Sequence, residues 1–113
     1  MRILIVDDEL LIAQLLETTL NLAGHKVVGI VGSIKRALEA IKTAEFDAAI
    51  VDINLNGVFA SEIVEALRLR GVKFIIATGY APEQLPFQRG GEPILGKPFD
   101  DDELFRAMNQ LAA

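Results

Sequence analysis

Three observations predict that the chain folds as a doubly wound α/β domain. Five short apolar runs, at 3–6, 27–31, 48–51, 74–77 and 94–95, are spread over 113 residues. Runs of this length, bounded by polar residues, have the pattern of strands buried on both faces. Segments with apolar residues at helical spacing lie between most of them and follow the last, so each connection is long enough to cross over and pair its strands in parallel. Polar residues cluster at the carboxyl end of the runs, the rim where an open parallel sheet places its ligands. No internal repeat or low-complexity linker interrupts the pattern, and 113 residues suit one domain, 1–113.

Ile3-Leu4-Ile5-Val6 is the first buried strand, and it stops at Asp7-Asp8-Glu9. From Leu10 to Ala23 the spacing is helical: Leu11 and Leu15 form one line, Ile12, Leu16 and Leu20 another, and Gln14, Glu17 and Asn21 lie opposite. The apolar stripe is wide enough that part of it is available to a partner. Gly24 stops this helix. Val27–Val31 is the second strand, and Ser33 is the N-cap of a helix carrying Ile34, Ala37, Leu38 and Ile41 on its inner face. Ala48-Ala49-Ile50-Val51 leads directly into Asp52, the end of the third strand. A polar loop follows, then a helix marked by Ile63, Ala66 and Leu67 and stopped by Gly71. Phe74–Ala77 is the fourth strand and ends at Thr78-Gly79. Between Tyr80 and Pro93, Pro82, Pro86, Gly90 and Gly91 make any fourth helix short or irregular. Ile94-Leu95 is a brief fifth strand, Gly96–Phe99 a loop, and Asp100 with Glu103 a capping box for the last helix, which carries Leu104, Ala107, Met108 and Leu111.

Composition removes several classes of function. A chain without cysteine has no disulfide, thiolate or zinc–cysteine chemistry. The single histidine, His25, lies between Gly24 and Lys26 in a predicted turn, which leaves Ser-His-Asp catalysis little to build on. A net charge of −5 argues against direct nucleic-acid binding, which needs a basic face. No apolar stretch approaches the roughly 20 residues of a membrane span. The amino terminus enters a strand at once, without the layout of a secretory signal. A cytoplasmic protein with no membrane contact is the expectation.

Because every strand of such a sheet ends at the same rim, Asp7, Asp8, Asp52, Thr78 and Lys97 converge although they are far apart in sequence. Three carboxylates in one crevice repel one another. A divalent cation relieves this, and an all-oxygen donor set favours a hard one, Mg²⁺, which keeps several waters and so leaves room for a phosphoryl group. Lys97 adds a mobile cation and Thr78 a hydroxyl donor, with open space beside Gly79. Such a cradle suits phosphoryl transfer, and an aspartate can itself be the nucleophile. Taken singly, each feature has an ordinary explanation: an acidic first turn of a helix for Asp7-Asp8, a turn for Thr78-Gly79, a solvated lysine for Lys97. Their joint occurrence, each at its own strand end, points to a site.

The residues that carry this pattern, Ile5-Val6-Asp7-Asp8-Glu9, Val51-Asp52-Ile53-Asn54-Leu55, Ala77-Thr78-Gly79 and Gly96-Lys97-Pro98-Phe99, resemble the response-regulator receiver domains of two-component signalling, over essentially the whole chain. The resemblance implies a flavodoxin-like sheet with strand order 2-1-3-4-5. It also implies phosphorylation of Asp52 by a sensor histidine kinase, Mg²⁺ held by Asp7 or Asp8 together with Asp52 and the backbone carbonyl of Asn54, and contact of Thr78 and Lys97 with the phosphoryl oxygens. A cis Lys97–Pro98 bond is usual in the family. Such a domain is a phosphoacceptor that promotes its own phosphotransfer and slow dephosphorylation, rather than a turnover enzyme. Two positions depart from the common pattern. Asn56-Gly57 follows Leu55 where many receivers have proline, and Ile94 replaces the aromatic that normally couples to the threonine. Tyr80 lies two residues after Thr78 instead, and Phe74–Tyr80 resembles the "FATGUY" subgroup, with Ile76 in place of its usual phenylalanine. That subgroup implies a single domain, an irregular fourth helix and a kinase of HWE or HisKA_2 type. The expected moving part is Thr78 to Pro93, with Tyr80, Phe87 and Ile94 as the switch candidates. Output passes to a downstream protein or phosphotransfer partner.

The alternative is a pseudo-receiver, an unphosphorylated binding module, which the presence of all five polar positions disfavours. An aspartyl-phosphate phosphatase of the haloacid dehalogenase type needs Asp-x-Asp after the first strand. A flavodoxin-type nucleotide binder needs a phosphate loop where Asp7-Asp8-Glu9 would repel the phosphate.

Overall fold

The computed structural model describes residues 1–112. Strands β1 (Arg2–Val6), β2 (Lys26–Val31), β3 (Ala48–Asp52), β6 (Lys73–Thr78) and β7 (Ile94–Gly96) form one parallel sheet in the order β2-β1-β3-β6-β7. Strands β4 (Asn54–Leu55) and β5 (Val58–Phe59) make a separate antiparallel hairpin. The helices are α1 (Leu10–Leu22), α2 (Ile34–Thr43), α3 (Ser61–Arg70) and α4 (Asp101–Ala112). Among the described residues no helix is long and apolar enough to cross a membrane.

Strand side chains alternate between faces, and this divides the core in two. Leu4 and Val6, Ala49 and Val51, and Phe74 and Ile76 meet Ala37 and Ile41 of α2 and Ile63, Val64 and Leu67 of α3. Ile3 and Ile5, Ala48 and Ile50, and Ile75 and Ala77 meet Ala13, Leu16 and Leu20 of α1 and Leu104, Ala107, Met108 and Leu111 of α4. The expected five-stranded, doubly wound sheet is therefore present, with helices on both faces.

Local chemistry sets the helix ends. The Ser33 hydroxyl accepts from the Arg36 N–H at 3.2 Å and caps α2. At the other end of α2, the Arg70 guanidinium donates to the carbonyls of Ile41 and Ala44 and stacks on Phe46, 4.7 Å from its ring centre. Gly71 takes the left-handed conformation (φ 75°) that ends α3. Asp100 and Glu103 form the reciprocal capping box of α4: the Glu103 N–H donates to Asp100 Oδ1 at 2.8 Å and the Asp100 N–H to Glu103 Oε1 at 3.3 Å.

Two regions carry the detail. The expected polar loop after Asp52 is instead the β4–β5 hairpin. Asn56 and Gly57 occupy its turn with φ of 52° and 81°, the pair of positive values that a type I′ two-residue hairpin requires and that Asn-Gly supplies at least cost. The segment from Gly79 to Pro93 contains no α-helix, only a 3₁₀ turn at Pro82–Gln84, in keeping with the proline and glycine density.

Candidate functional site: an acidic crevice at the carboxyl rim of the sheet

Register alone assembles the site. Val6 pairs with Val51, so the next residues, Asp7 and Asp52, stand side by side beyond neighbouring strands. Asp52 pairs with Ala77, which puts Thr78 one position farther along β6. Thr78 in turn pairs with Gly96, and Lys97 follows. The Lys97 N–H donates to the Thr78 carbonyl at 2.9 Å, which fixes the start of the lysine loop against β6. The Lys97–Pro98 peptide bond is cis.

The buried polar side chains of the core lie here: Asp7, Asp52 and Thr78. Lys97 Nζ donates to Asp52 Oδ2 at 2.9 Å and to Asp7 Oδ2 at 3.4 Å, and Glu9 Oε1 lies 4.0 Å away. The other oxygens of both aspartates are engaged by backbone. The Asn54 N–H donates to Asp52 Oδ1 at 3.0 Å, and the Glu9 N–H donates to Asp7 Oδ1 at 2.8 Å. Each carboxylate is therefore clamped on one side by its own chain, two residues ahead, and faces the crevice with the other. Burial pushes the Asp7 carboxyl up from its ordinary value, aided by the charge of Asp52, against the Glu9 N–H and Lys97, which act in the opposite sense. For Lys97, burial works to lower the pKa, but its hydrogen bond to Asp52 and the charges of Asp52 and Asp7 outweigh it and hold the ammonium above its ordinary value.

The donor set matches a hard divalent cation. Asp7, Asp8, Glu9 and Asp52 each present a carboxylate oxygen, all within 4.8 Å of one another, with no nitrogen or sulfur ligand among them. Glu9, part of the Ile5–Glu9 motif but not among the expected ligands, belongs to this group by position. Asn54 enters the site through its N–H. The two-residue turn makes Leu55 and Val58 the bonded pair of the hairpin, and the Ala60 N–H donates to the Ile53 carbonyl at 2.7 Å, so the Asn54 carbonyl stays outside the ladder.

The switch candidates are spread along the rim. Thr78 Oγ1 accepts the Tyr80 N–H at 3.0 Å. The Tyr80 ring packs against Phe59 with centroids 5.3 Å apart, and its hydroxyl accepts from Asn54 Nδ2 at 3.3 Å. Phe87 is half-buried against the α2–α3 side of the core, under the Arg68 guanidinium. Ile94 pairs with Ile76 in the sheet, two positions back from the Thr78 level. The structure thus groups Tyr80 with the crevice and places Phe87 and Ile94 away from it.

Apart from the Asn54 carbonyl, the hairpin residues were not among the expected site residues. The Asn56 N–H donates to Asp8 Oδ2 at 2.9 Å, the Asn54 side chain binds Tyr80 and the Gly57 N–H, and Phe59 meets the Tyr80 ring. A signal for them was present: Asn-Gly four residues after Asp52 is a strong short-range hairpin marker. It folds Asn54, Asn56 and Phe59 back over the rim.

Comparison with known proteins agrees with this geometry. Residues 3–109 match the family model described as response regulator receiver domain. The transcriptional regulatory protein TcrA of Mycobacterium tuberculosis is 32% identical over 98% of the chain, which covers 46% of that protein. The chain thus spans about half the length, or less, of the curated relatives it matches. The solution structure of SdrG from Sphingomonas melonis Fr1 superposes with a TM-score of 0.85 at 36% identity, covering 99% of this chain and 96% of SdrG. The response regulator TrrA from Thermotoga maritima, solved in complex with Mg²⁺ and BeF, superposes at 0.84 with 27% identity and covers 97% of each chain. An acidic, lysine-bridged rim on a 2-1-3-4-5 sheet and a match over nearly the full length lead to one conclusion: the chain belongs to the response regulator receiver domain family.

Proposed function

We propose that this chain is a phosphoacceptor of a two-component phosphorelay, with Asp52 as the residue modified. The observation that carries the proposal is the Lys97 bridge, 2.9 Å from Asp52 and 3.4 Å from Asp7, inside a cluster of four acidic side chains. Lys97 supplies positive charge on the carboxylate face left free by the backbone. In the transfer, an oxygen of Asp52 bonds to phosphorus while the phosphorus–nitrogen bond of a donor phosphohistidine breaks. The electron pair stays on the imidazole, and an acyl phosphate remains. Lys97 neutralises charge on the transferred group, the Thr78 hydroxyl donates to it, and the Asn54 N–H orients the Asp52 carboxylate. Asp7 or Asp8, with Asp52 and the Asn54 carbonyl, would hold Mg²⁺, with Glu9 beside them, and the ion would supply further neutralisation of phosphoryl charge when bound. No side chain in this scheme turns over a substrate in solution, so the chain is a self-modifying signalling module rather than an enzyme.

The kinase partner has a seat on the α1 face. Leu11 and Leu15, 72% and 63% exposed, stand beside a cavity of about 400 Å³ lined by Ile12, Leu16, Pro98, Phe99 and Leu104, which runs up to Lys97. An apolar docking surface adjoining the phosphoacceptor suits a helix that presents a phosphohistidine. The Gly79–Pro93 segment without a helix, and Tyr80 beside Thr78, support assignment to the FATGUY subgroup, with an HWE or HisKA_2 type kinase, a cytoplasmic setting and output to a protein or phosphotransfer partner.

The test is a thermal shift with Mg²⁺ and beryllofluoride, which mimics a phosphoryl group on a carboxylate. In wild type beryllofluoride should add stability beyond that given by Mg²⁺ alone, and in Asp52→Asn it should add none. Equal behaviour of the two proteins would turn the assignment toward the pseudo-receiver.

A further inference from the structure

From Gly79 to Pro93 the chain is a strap with one 3₁₀ turn and no helix. It therefore lacks the repeating backbone hydrogen bonds that hold other segments in place. Its amino end is tied to the crevice by the Tyr80 N–H on Thr78 Oγ1, and its carboxyl end to the sheet by the Ile76 N–H on the Pro93 carbonyl at 2.9 Å. Between these, one side chain of α3 gathers the strap. Arg68 Nε donates to Glu92 Oε2 at 3.1 Å and Arg68 Nη2 to Glu92 Oε1 at 2.7 Å. Nη2 also donates to the Gln88 carbonyl at 2.8 Å, and the guanidinium lies 5.6 Å from the Phe87 ring centre. The Gly90 N–H completes the group on Glu92 Oε1 at 3.1 Å.

Arg68 also stands between two open spaces. On one side a cavity of about 490 Å³ runs along α3 under Pro86 and Phe87; on the other, one of about 370 Å³ lies between Gly90–Pro93 and Gln110. The strap is thus loosely packed on both sides of the clasp, and a bidentate arginine–carboxylate pair is the strongest polar contact available to hold it. In this arrangement Lys97 is bound directly to the Asp52 carboxylate, 2.9 Å away.

Resting on the phosphoacceptor assignment above, we infer that the Arg68–Glu92 clasp is a restraint that holds the strap in the unphosphorylated position and opposes activation. A phosphoryl group that draws in Thr78 pulls on Tyr80, and the strap moves as far as the clasp lets it. The clasp adds its free energy to the resting state only, so removing it shifts the equilibrium toward the active state and raises affinity for anything that selects that state.

The experiment has two arms on three variants, Arg68→Ala, Glu92→Gln and Gly90→Ala. The last keeps both charges, but its new Cβ would fall 2.7 Å from Glu92 Oε2 and 3.1 Å from Arg68 Nη2, which spreads the clasp. The first arm is amide hydrogen exchange without Mg²⁺ or phosphoryl donor. All three variants should exchange faster than wild type across 84–92, by roughly three- to ten-fold in the two charge variants, with protection in β1 and β3 unchanged. The second arm is beryllofluoride titration with Mg²⁺, in which apparent affinity should rise by a similar factor. Unchanged exchange in the strap, an increase spread equally over β1 and β3, or unchanged or weaker beryllofluoride affinity would each overturn the restraint. Failure of wild type itself to bind beryllofluoride would sink the phosphoacceptor assignment instead, and the exchange arm would still report on the clasp.

Discussion

At the residue scale, the site trades stability for chemistry. Asp7 and Asp52 are both buried, and a single ammonium bridges them. The raised pKa of Asp7 means that its ionisation costs folding free energy. The associated stability is complete below its ordinary value near 3.8 and is lost as pH rises through the raised one. Asp7→Asn keeps an oxygen to accept the Glu9 N–H but removes the charge. In the absence of Mg²⁺ it should therefore raise the melting temperature at neutral pH, by a gain on the order of 1 kcal/mol. The gain should fade as the pH is lowered until Asp7 is protonated in wild type. Melting curves across pH in EDTA check this, and a variant less stable than wild type at pH 7 would contradict it. Asp7, Asp52 and Thr78 were legible in the sequence because each directly follows or ends an apolar strand run, and Lys97 because only Gly96 separates it from the last run. Arg68 and Arg70 were not: each acts through a partner more than 20 positions away, Glu92 and Ile41 respectively. Nothing local distinguishes them from solvated helix arginines.

At the element scale, the hairpin after Asp52 joins the acidic cluster to the strap. It touches Asp8 through the Asn56 N–H and Tyr80 through Asn54 and Phe59. Its turn depends on Gly57 at φ 81°. Gly57→Ala places a side chain in the left-handed region, though no atom lies within 4 Å of the added carbon, so the cost is conformational alone. It should destabilise the fold by about 1 kcal/mol and weaken Mg²⁺ affinity by loosening Asp8. Chemical denaturation and a Mg²⁺ titration measure the two effects, and a variant as stable as wild type would show that the hairpin does not depend on its turn. Asn56-Gly57 was visible as a departure from the family pattern, but a loop of only two residues between two two-residue strands has too little periodicity to read as strands. The strap was legible in part: two prolines and two glycines predicted a short or irregular fourth helix, where the structure has only a 3₁₀ turn, while the clasp involves pairings sequence order does not reveal.

At the scale of the whole molecule, strand register turns a linear pattern into a site. Period-two alternation in β1, β3 and β6 fixes which residues feed each half of the core. A slip of one residue in any of these strands would turn its inward side chains around and carry Asp7, Asp52 or Thr78 off the rim. Burial of both sheet faces is what makes that slip costly. The fold class, strand order and convergence of polar residues follow from this logic and were legible. The proposed role of Asp52 as phosphoacceptor is tested most directly by intact mass after incubation with acetyl phosphate and Mg²⁺. The expected result is a gain of one phosphoryl group in wild type, absent in Asp52→Asn and absent when Mg²⁺ is chelated. A wild type that takes up no phosphoryl group, or an Asp52→Asn variant that takes up the same adduct, would contradict it.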